Sequence, residues 1–176
     1  PGVFWQAHSL APKVLLSGVL ERLGELEPGS EVLDLYAGAG LFSANIAARF
    51  PESKVHAVEL AEAAVQSGKS SAKGMKNLSF EKSDVLVYLR SREKEIATVV
   101  LDPPRSGAAT KVINQLVRLK AKHIIYVACD PVALARDIGL LKEAGYELES
   151  LEAFDIFPHT HHFETLATLR LSNLRA

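Results

Sequence analysis

The stretch EVLDLYAGAGLFSANIAARF, residues 31–50, carries three signals in a row. Its opening EVLDLYA (31–37) is an apolar run of strand length. Its close, LFSANIAARF (41–50), repeats apolar residues at spacings of three and four and predicts an amphipathic helix. Between them, Gly38 and Gly40 let the backbone turn with positive φ and approach a ligand closely, because no Cβ intervenes. Strand, glycine turn and helix in that order open a βαβ unit.

Outward from this unit the same alternation continues. Strand-like runs are KVHAVEL (54–60), LSFEKSD (78–84), ATVVLD (97–102) and HIIYVAC (123–129). Helical spacing marks AEAAVQSGKSSAKGM (61–75), VLVYLRSR (85–92), ATKVINQLVRL (109–119) and an earlier segment, APKVLLSGVLERLGEL (11–26). Two final runs, YELESLEAFDIF (146–157) and ETLATLRLS (164–172), are close enough in sequence to pair antiparallel. The expected fold is therefore α/β: a mostly parallel seven-stranded sheet with helices on both faces and an antiparallel C-terminal hairpin.

Bulk properties bound the rest. The chain has 176 residues, 48% hydrophobic and 23% charged, enough for one sizeable core and short for two. One domain over 1–176 is expected, and a monomer. Its net charge of −1 supplies no global field for nucleic acid, so any such contact must rest on local patches. A single cysteine rules out an internal disulfide and a cysteine-only metal site. Without a signal peptide or an unbroken apolar run of about 18 residues, the sequence reads as cytoplasmic, with no membrane partner. The abrupt start, PGVFWQAH, suggests a piece of a longer protein.

In sheets of this kind ligands bind beyond the carboxyl ends of the strands. The ends of the first five expected strands place Gly38, Gly40, Glu59, Asp84, Asp102 and Cys129 along one rim. The third glycine of a dinucleotide fingerprint is replaced by Ser43. Glu59, about 20 residues past the turn, suits the two hydroxyls of a ribose, and Asp84 suits an adenine amino group. Ribose and adenine contacts without the diphosphate glycines favour S-adenosylmethionine over NAD. In LDPPRSG (101–107), two prolines remove backbone donors and hold Asp102 rigidly at a strand end; Arg105 is either a surface charge or a contact to a phosphate or carboxylate.

Within VACDPVALARD (127–137), Asp130 suits an N-cap and Pro131 the first helical turn. Cys129 then precedes a helix N-terminus, whose partial positive charge is expected to lower the thiol pKa. Read locally, the cysteine is either a nucleophile or a buried small hydrophobe. In FPHTHHFETLATL (157–169), His159, His161 and His162 invite a metal reading, but their spacing and lack of cysteine partners argue against one. Glu164 is either a general base or an exposed acid.

Taken in order, FWQ, DLYAGAGLFS, VEL, SD, LDPPRSG, YVACDPVALARD and FPHTHHFET resemble the S-adenosylmethionine-dependent RNA 5-methyluridine methyltransferases over nearly the whole chain. The resemblance implies a Rossmann-like class I methyltransferase fold and RNA, either rRNA or tRNA, as substrate. It implies Cys129 as nucleophile and Glu164 as base, with Gln6, Tyr36, Glu59, Asp84 and Asp102 lining the cofactor and target-base site. Leu41 stands where the family often has a polar residue, and Asp130 where it commonly has Asn. The family also implies RNA-binding regions N-terminal to this segment, in some members with an iron–sulfur cluster.

On this reading Phe4, Trp5, Tyr36 and Phe157 are either stacking faces or core residues, and Lys69, Lys73, Lys76, Arg90 and Arg92 either track phosphates or solvate helices. Two other functions fit the same fold: a methyltransferase acting on an amino group or small molecule, which needs no cysteine, and a non-catalytic binding module.

Overall fold

A computed structural model describes residues 11–155 and 163–172. Among them, seven strands form one sheet in the order β3-β2-β1-β4-β5-β7-β6. The strands are β1 (Glu31–Leu35), β2 (Lys54–Glu59), β3 (Leu78–Lys82), β4 (Thr98–Leu101), β5 (His123–Ala128), β6 (Tyr146–Phe154) and β7 (Glu164–Leu171). The helices are α1 (Ala11–Leu23), α2 (Leu41–Arg49), α3 (Glu62–Ser71), α4 (Val85–Arg90), α5 (Thr110–Arg118) and α6 (Pro131–Glu143).

The first five strands are parallel, and strand order reverses between β1 and β4. The central strands are apolar on both sides where helices cover both sheet faces, which is why β4 and β5 are buried at every position, while the edge strand β3 has no buried residue. Alternate residues divide between two cores. Leu33, Val99, Leu101, Ile124 and Tyr126 pack with α4, α5 and α6, while Val32, Val100, Ile125 and Val127 pack with α1 and α2. The expected hairpin is present with an added feature: β7 inserts between β5 and β6, antiparallel to both.

The expected strand ends run long by two residues at β1 and β3, for physical reasons. Tyr36 takes φ 63°, which turns the chain out of β1 before residue 37. Asp84 leaves β3 to become the N-cap of α4, its carboxylate accepting from Val87 N at 3.1 Å. No helix among the described residues is long and apolar enough to cross a membrane.

Candidate active site

The two glycines of the first turn do different work. Gly38 has φ +55° with nothing within 4 Å of where a Cβ would stand, so the surface above it is open. Gly40 has φ +89°, and a Cβ there would lie 2.5 Å from Phe80 Cζ, so it is required by packing. Glu59, half-buried at the end of β2, accepts from Gly38 N at 3.0 Å and from Ala61 N at 2.7 Å. Its carboxylate thereby braces the turn, and each oxygen keeps a lone pair for a ligand hydroxyl. Beside it Leu60 is 63% exposed, an apolar side chain on the same rim.

Below the turn lies Asp34, wholly buried in β1, accepting from Ser43 N at 2.9 Å. Burial pushes its carboxyl up to about 7, hydrogen bonding to Ser43 opposing the shift. Tyr36 is half-buried and donates to the Ala108 carbonyl at 3.4 Å. Burial first, then the charges of Asp84 and Asp137, raise its hydroxyl to about 12, so it stays a neutral donor.

The second half of the rim forms where β5 meets β7. The ladder ends on the pair Ala128 with Thr165, so one further step sets Cys129 opposite Glu164. Strand alternation carries Asp34, Glu59, Asp102, Cys129 and Glu164 to the sheet face that holds Val32, Val55, Val100, Val127 and Leu166. Their charges act on one another. Asp102 is pushed up to about 8 by burial and then by Glu164 and Asp34. Glu164 is 5% exposed and its carboxyl is raised by burial, with Arg105 pulling it back.

Cys129 is half-buried, and its thiol is raised. This corrects the expectation of a thiolate favoured by the helix N-terminus. Burial is the main cause, the Glu164 and Asp102 carboxylates add to it, and the nearby Arg105 cation opposes them. The helix itself begins as expected. Asp130 accepts from Ala133 N at 2.8 Å with Pro131 in the first turn, so the cap residue occupies a helix donor.

Of the residues named from sequence, Tyr36, Gly38, Gly40, Glu59 and Asp84 gather at the first half of the rim, and Asp102, Cys129 and Glu164 at the second. Gln6, Phe4, Trp5, Phe157, His159, His161 and His162 lie outside the described residues. Arg92 is turned to the opposite end of the sheet, bonded to Glu31 at the start of β1 and to the Tyr88 hydroxyl at 3.0 Å. Lys69, Lys73, Lys76 and Arg90 are exposed. Among the described residues no group of three or more His, Cys, Asp or Glu could hold a metal.

Three residues at the rim escaped the sequence reading: Asp34, Tyr126 and Asp137. Asp34 is an acid inside an otherwise apolar strand, and Asp137 an acid three and four residues from the buried Leu134 and Leu141 of α6. An acid on a core-facing stripe was the available signal.

The strand order, with β7 inserted antiparallel, and the open glycine turn define the class I, Rossmann-like methyltransferase fold. The same architecture is seen in the precorrin-6y C5,15-methyltransferase of Geobacter metallireducens, at TM-score 0.72 and 15% identity over 89% of this chain and 87% of that one. The family described as tRNA (Uracil-5-)-methyltransferase matches residues 75–171, and the chain belongs to it. The chain is 41% identical over 174 residues to an uncharacterized RNA methyltransferase of Streptomyces avermitilis, covering 96% of this chain and 39% of the relative. It is 32% identical, at TM-score 0.81, to the Pyrococcus abyssi tRNA (uracil-54, C5)-methyltransferase crystallised with S-adenosyl-L-homocysteine, covering 96% of this chain and 40% of that one. The chain thus spans about two fifths of the length of these two RNA methyltransferases.

Proposed function

We propose that this chain is the catalytic domain of an enzyme that methylates C5 of a uridine in RNA, with S-adenosylmethionine as methyl donor and Cys129 as covalent nucleophile. The carrying observation is that the β5–β7 register brings Cys129 and Glu164, thirty-five residues apart in sequence, to one end of the sheet beside Asp102 and Arg105.

The residues present fit the cofactor. Open space above Gly38 admits a ligand against the backbone, and Glu59, already fixed by two backbone donors, offers oxygens to ribose hydroxyls. Leu60 offers an apolar face for a base, and Asp84 an acceptor at the same edge. When bound, S-adenosylmethionine supplies an electrophilic methyl group on sulfonium.

The side chains then divide the work on the uracil. C5 of uracil is a poor nucleophile, and addition of the Cys129 sulfur to C6 moves electron density to C5 as an enolate. Because the thiol is raised, its proton must leave as sulfur adds; the nearby Asp102 carboxylate is the acceptor, and returns the proton when the thiolate is released, so Glu164 is left free for the C5 proton. Arg105, the cation at this end, offsets negative charge as it develops. After C5 is methylated, Glu164 takes the C5 proton; burial has raised its basicity toward neutral pH. Electrons return through the ring and the C6–sulfur bond breaks, releasing Cys129. A stacked uridine cannot reach this recess, so the target is single-stranded or flipped.

The test is RNA carrying 5-fluorouridine, incubated with the full-length protein and cofactor. Fluorine at C5 leaves no proton to remove, so a covalent complex through Cys129 accumulates. Confirmed binding without any such link counts against the mechanism, and a Cys129→Ala variant that still methylates would favour an amino-group or small-molecule enzyme.

A further inference from the structure

The loop that carries Asp102 and Arg105 is held by a buried polar cluster that the chemistry above does not use. Ala108 N donates to Asp137 Oδ2 at 2.8 Å and also approaches the Tyr126 hydroxyl at 3.0 Å. The Tyr126 hydroxyl donates to the same Asp137 oxygen at 2.7 Å. On the other oxygen, Arg136 Nη2 and Nε donate to Asp137 Oδ1 at 2.7 and 2.9 Å, and Nη2 also reaches the Ser106 carbonyl at 2.9 Å. Tyr126 and Asp137 are both wholly buried.

These bonds join three pieces of chain: β5, which ends at Ala128 beside the nucleophile; α6, which begins just after it; and the 102–109 loop. Two features show that the loop is shaped for this contact. Gly107 takes φ +81°, and a Cβ there would lie 2.5 Å from Arg136 Nη2 and 2.6 Å from Asp137 Oδ2. Ala109 also takes positive φ, 64°, at the N-cap of α5, a conformation that a non-glycine residue keeps only when its surroundings impose it. An acid buried in a helix face otherwise apolar needs a reason, and here all its hydrogen bonds go to this loop, to Tyr126 and to Arg136.

We propose that Tyr126 and Asp137 are positioning residues that latch the 102–109 loop onto β5 and α6, holding the Arg105 cation beside Cys129 and Glu164. The latch rests on the proposed role of Cys129, but its signature lies in the thiol itself. Groups facing that thiol are Glu164 from β7 and Asp102 and Arg105 from the loop; of the three, only Arg105 favours the thiolate. Loosening the loop removes that cation and leaves in place Glu164 on β7 and Asp102, whose N–H is held by the Leu35 carbonyl of β1 at 3.3 Å.

The experiment is the pH dependence of Cys129 alkylation by iodoacetamide, which needs neither RNA nor turnover. In the full-length protein the site is read by peptide mass mapping of Cys129, the one cysteine of these 176 residues. Tyr126→Phe should move the alkylation midpoint up by about half a pH unit, a roughly threefold slower reaction below the midpoint, and Arg105→Ala should do the same. In the Arg105→Ala background, Tyr126→Phe should add nothing. Arg136→Met, at a half-exposed side chain, provides the same readout without touching the interior, should Tyr126→Phe not fold. Tyr146→Phe serves as control: this tyrosine is buried in β6, its hydroxyl has no hydrogen-bond partner among the described residues, and its removal should leave the midpoint in place. Folded Tyr126→Phe and Arg136→Met proteins with wild-type midpoints would overturn the latch, as would equal shifts with and without Arg105. Failure of the nucleophile reading appears elsewhere, as methylation by Cys129→Ala, so the two outcomes are separable.

Discussion

Thr165 donates its hydroxyl to the Ala128 carbonyl at 2.8 Å, across the antiparallel ladder between β5 and β7. Both residues are buried, so the bond is shielded from water, and it fixes the register at the step before Cys129 and Glu164. A slip of one residue would send Glu164 to the opposite sheet face. The two candidate catalytic groups are therefore aligned by strand pairing, and little depends on a mobile side chain reaching across the site.

That alignment gives Glu164→Gln a specific signature. The amide keeps the shape and the strand register but cannot accept a proton, so addition by Cys129 should survive while release of the product should not. Turnover should fall by about 10²–10⁴-fold. Ordinary uridine RNA should then accumulate as a covalent complex, visible as a slow band on a denaturing gel. A variant with wild-type turnover would remove Glu164 from the mechanism.

Glu59 is predicted to act on the cofactor alone. Its two oxygens hold Gly38 N and Ala61 N, so Glu59→Ala removes both the brace of the glycine turn and the acceptor for a ribose. Affinity for S-adenosylhomocysteine, measured by titration calorimetry, should weaken about 10- to 100-fold, as expected for losing a charged hydrogen-bonding partner of about 1.5–3 kcal/mol. The Cys129 alkylation midpoint should stay unchanged, because Glu59 is not among the charges that move that thiol.

How much of this was legible follows from the range of the forces involved. Strands β1 to β5 and the turn at Gly38 are local patterns of apolar period and glycine, and their order in sequence mirrors the parallel sheet. The insertion of β7 beside β5 depends on pairing between segments some forty residues apart, which no local pattern encodes. Cys129 could be placed on the rim, yet its thiol shift could not be foreseen. Its direction depends first on burial and then on Glu164 and Asp102, which arrive from other strands. Asp84 shows the reverse: the sequence offers its carboxylate as a ligand contact, and in the structure that carboxylate, exposed, caps α4.

Asp34 predicts a pH dependence of stability. Its carboxyl sits at about 7 when folded against an ordinary 3.8, so the folded state binds the proton more tightly. The stabilising effect of that proton is fully present below about 3.8 and is lost as pH rises through 7. Asp102, raised to about 8, adds to Asp34 over the same window, while His123, lowered to about 4 by burial, acts oppositely between pH 4 and 6.5, so the wild-type profile mixes all three. Comparison with Asp34→Asn isolates the aspartate. The variant's advantage in urea-unfolding free energy should grow from pH 4 to 7 and level off above, reaching on the order of 4 kcal/mol. A difference independent of pH over that window would mean that Asp34 titrates normally.

Gly40→Ala tests whether the second glycine is a packing requirement. At φ +89° a side chain is strained by roughly 1–2 kcal/mol, and the new Cβ would sit 2.5 Å from Phe80 Cζ. Gly68, on α3, faces the same ring, with a Cβ position 2.3 Å from Phe80 Cε1, so the phenyl has little room to retreat. Overpacking adds about 1–3 kcal/mol. The melting temperature should drop by about 5–15 °C for a domain of this size. Gly38→Ala shares the positive φ but meets open space, so it should cost only the backbone strain. The pair thus separates conformational strain from collision. Trimming the ring, as Gly40→Ala with Phe80→Leu, should recover part of the Gly40→Ala loss, and a double variant less stable than either single one would show that the ring is not the obstacle.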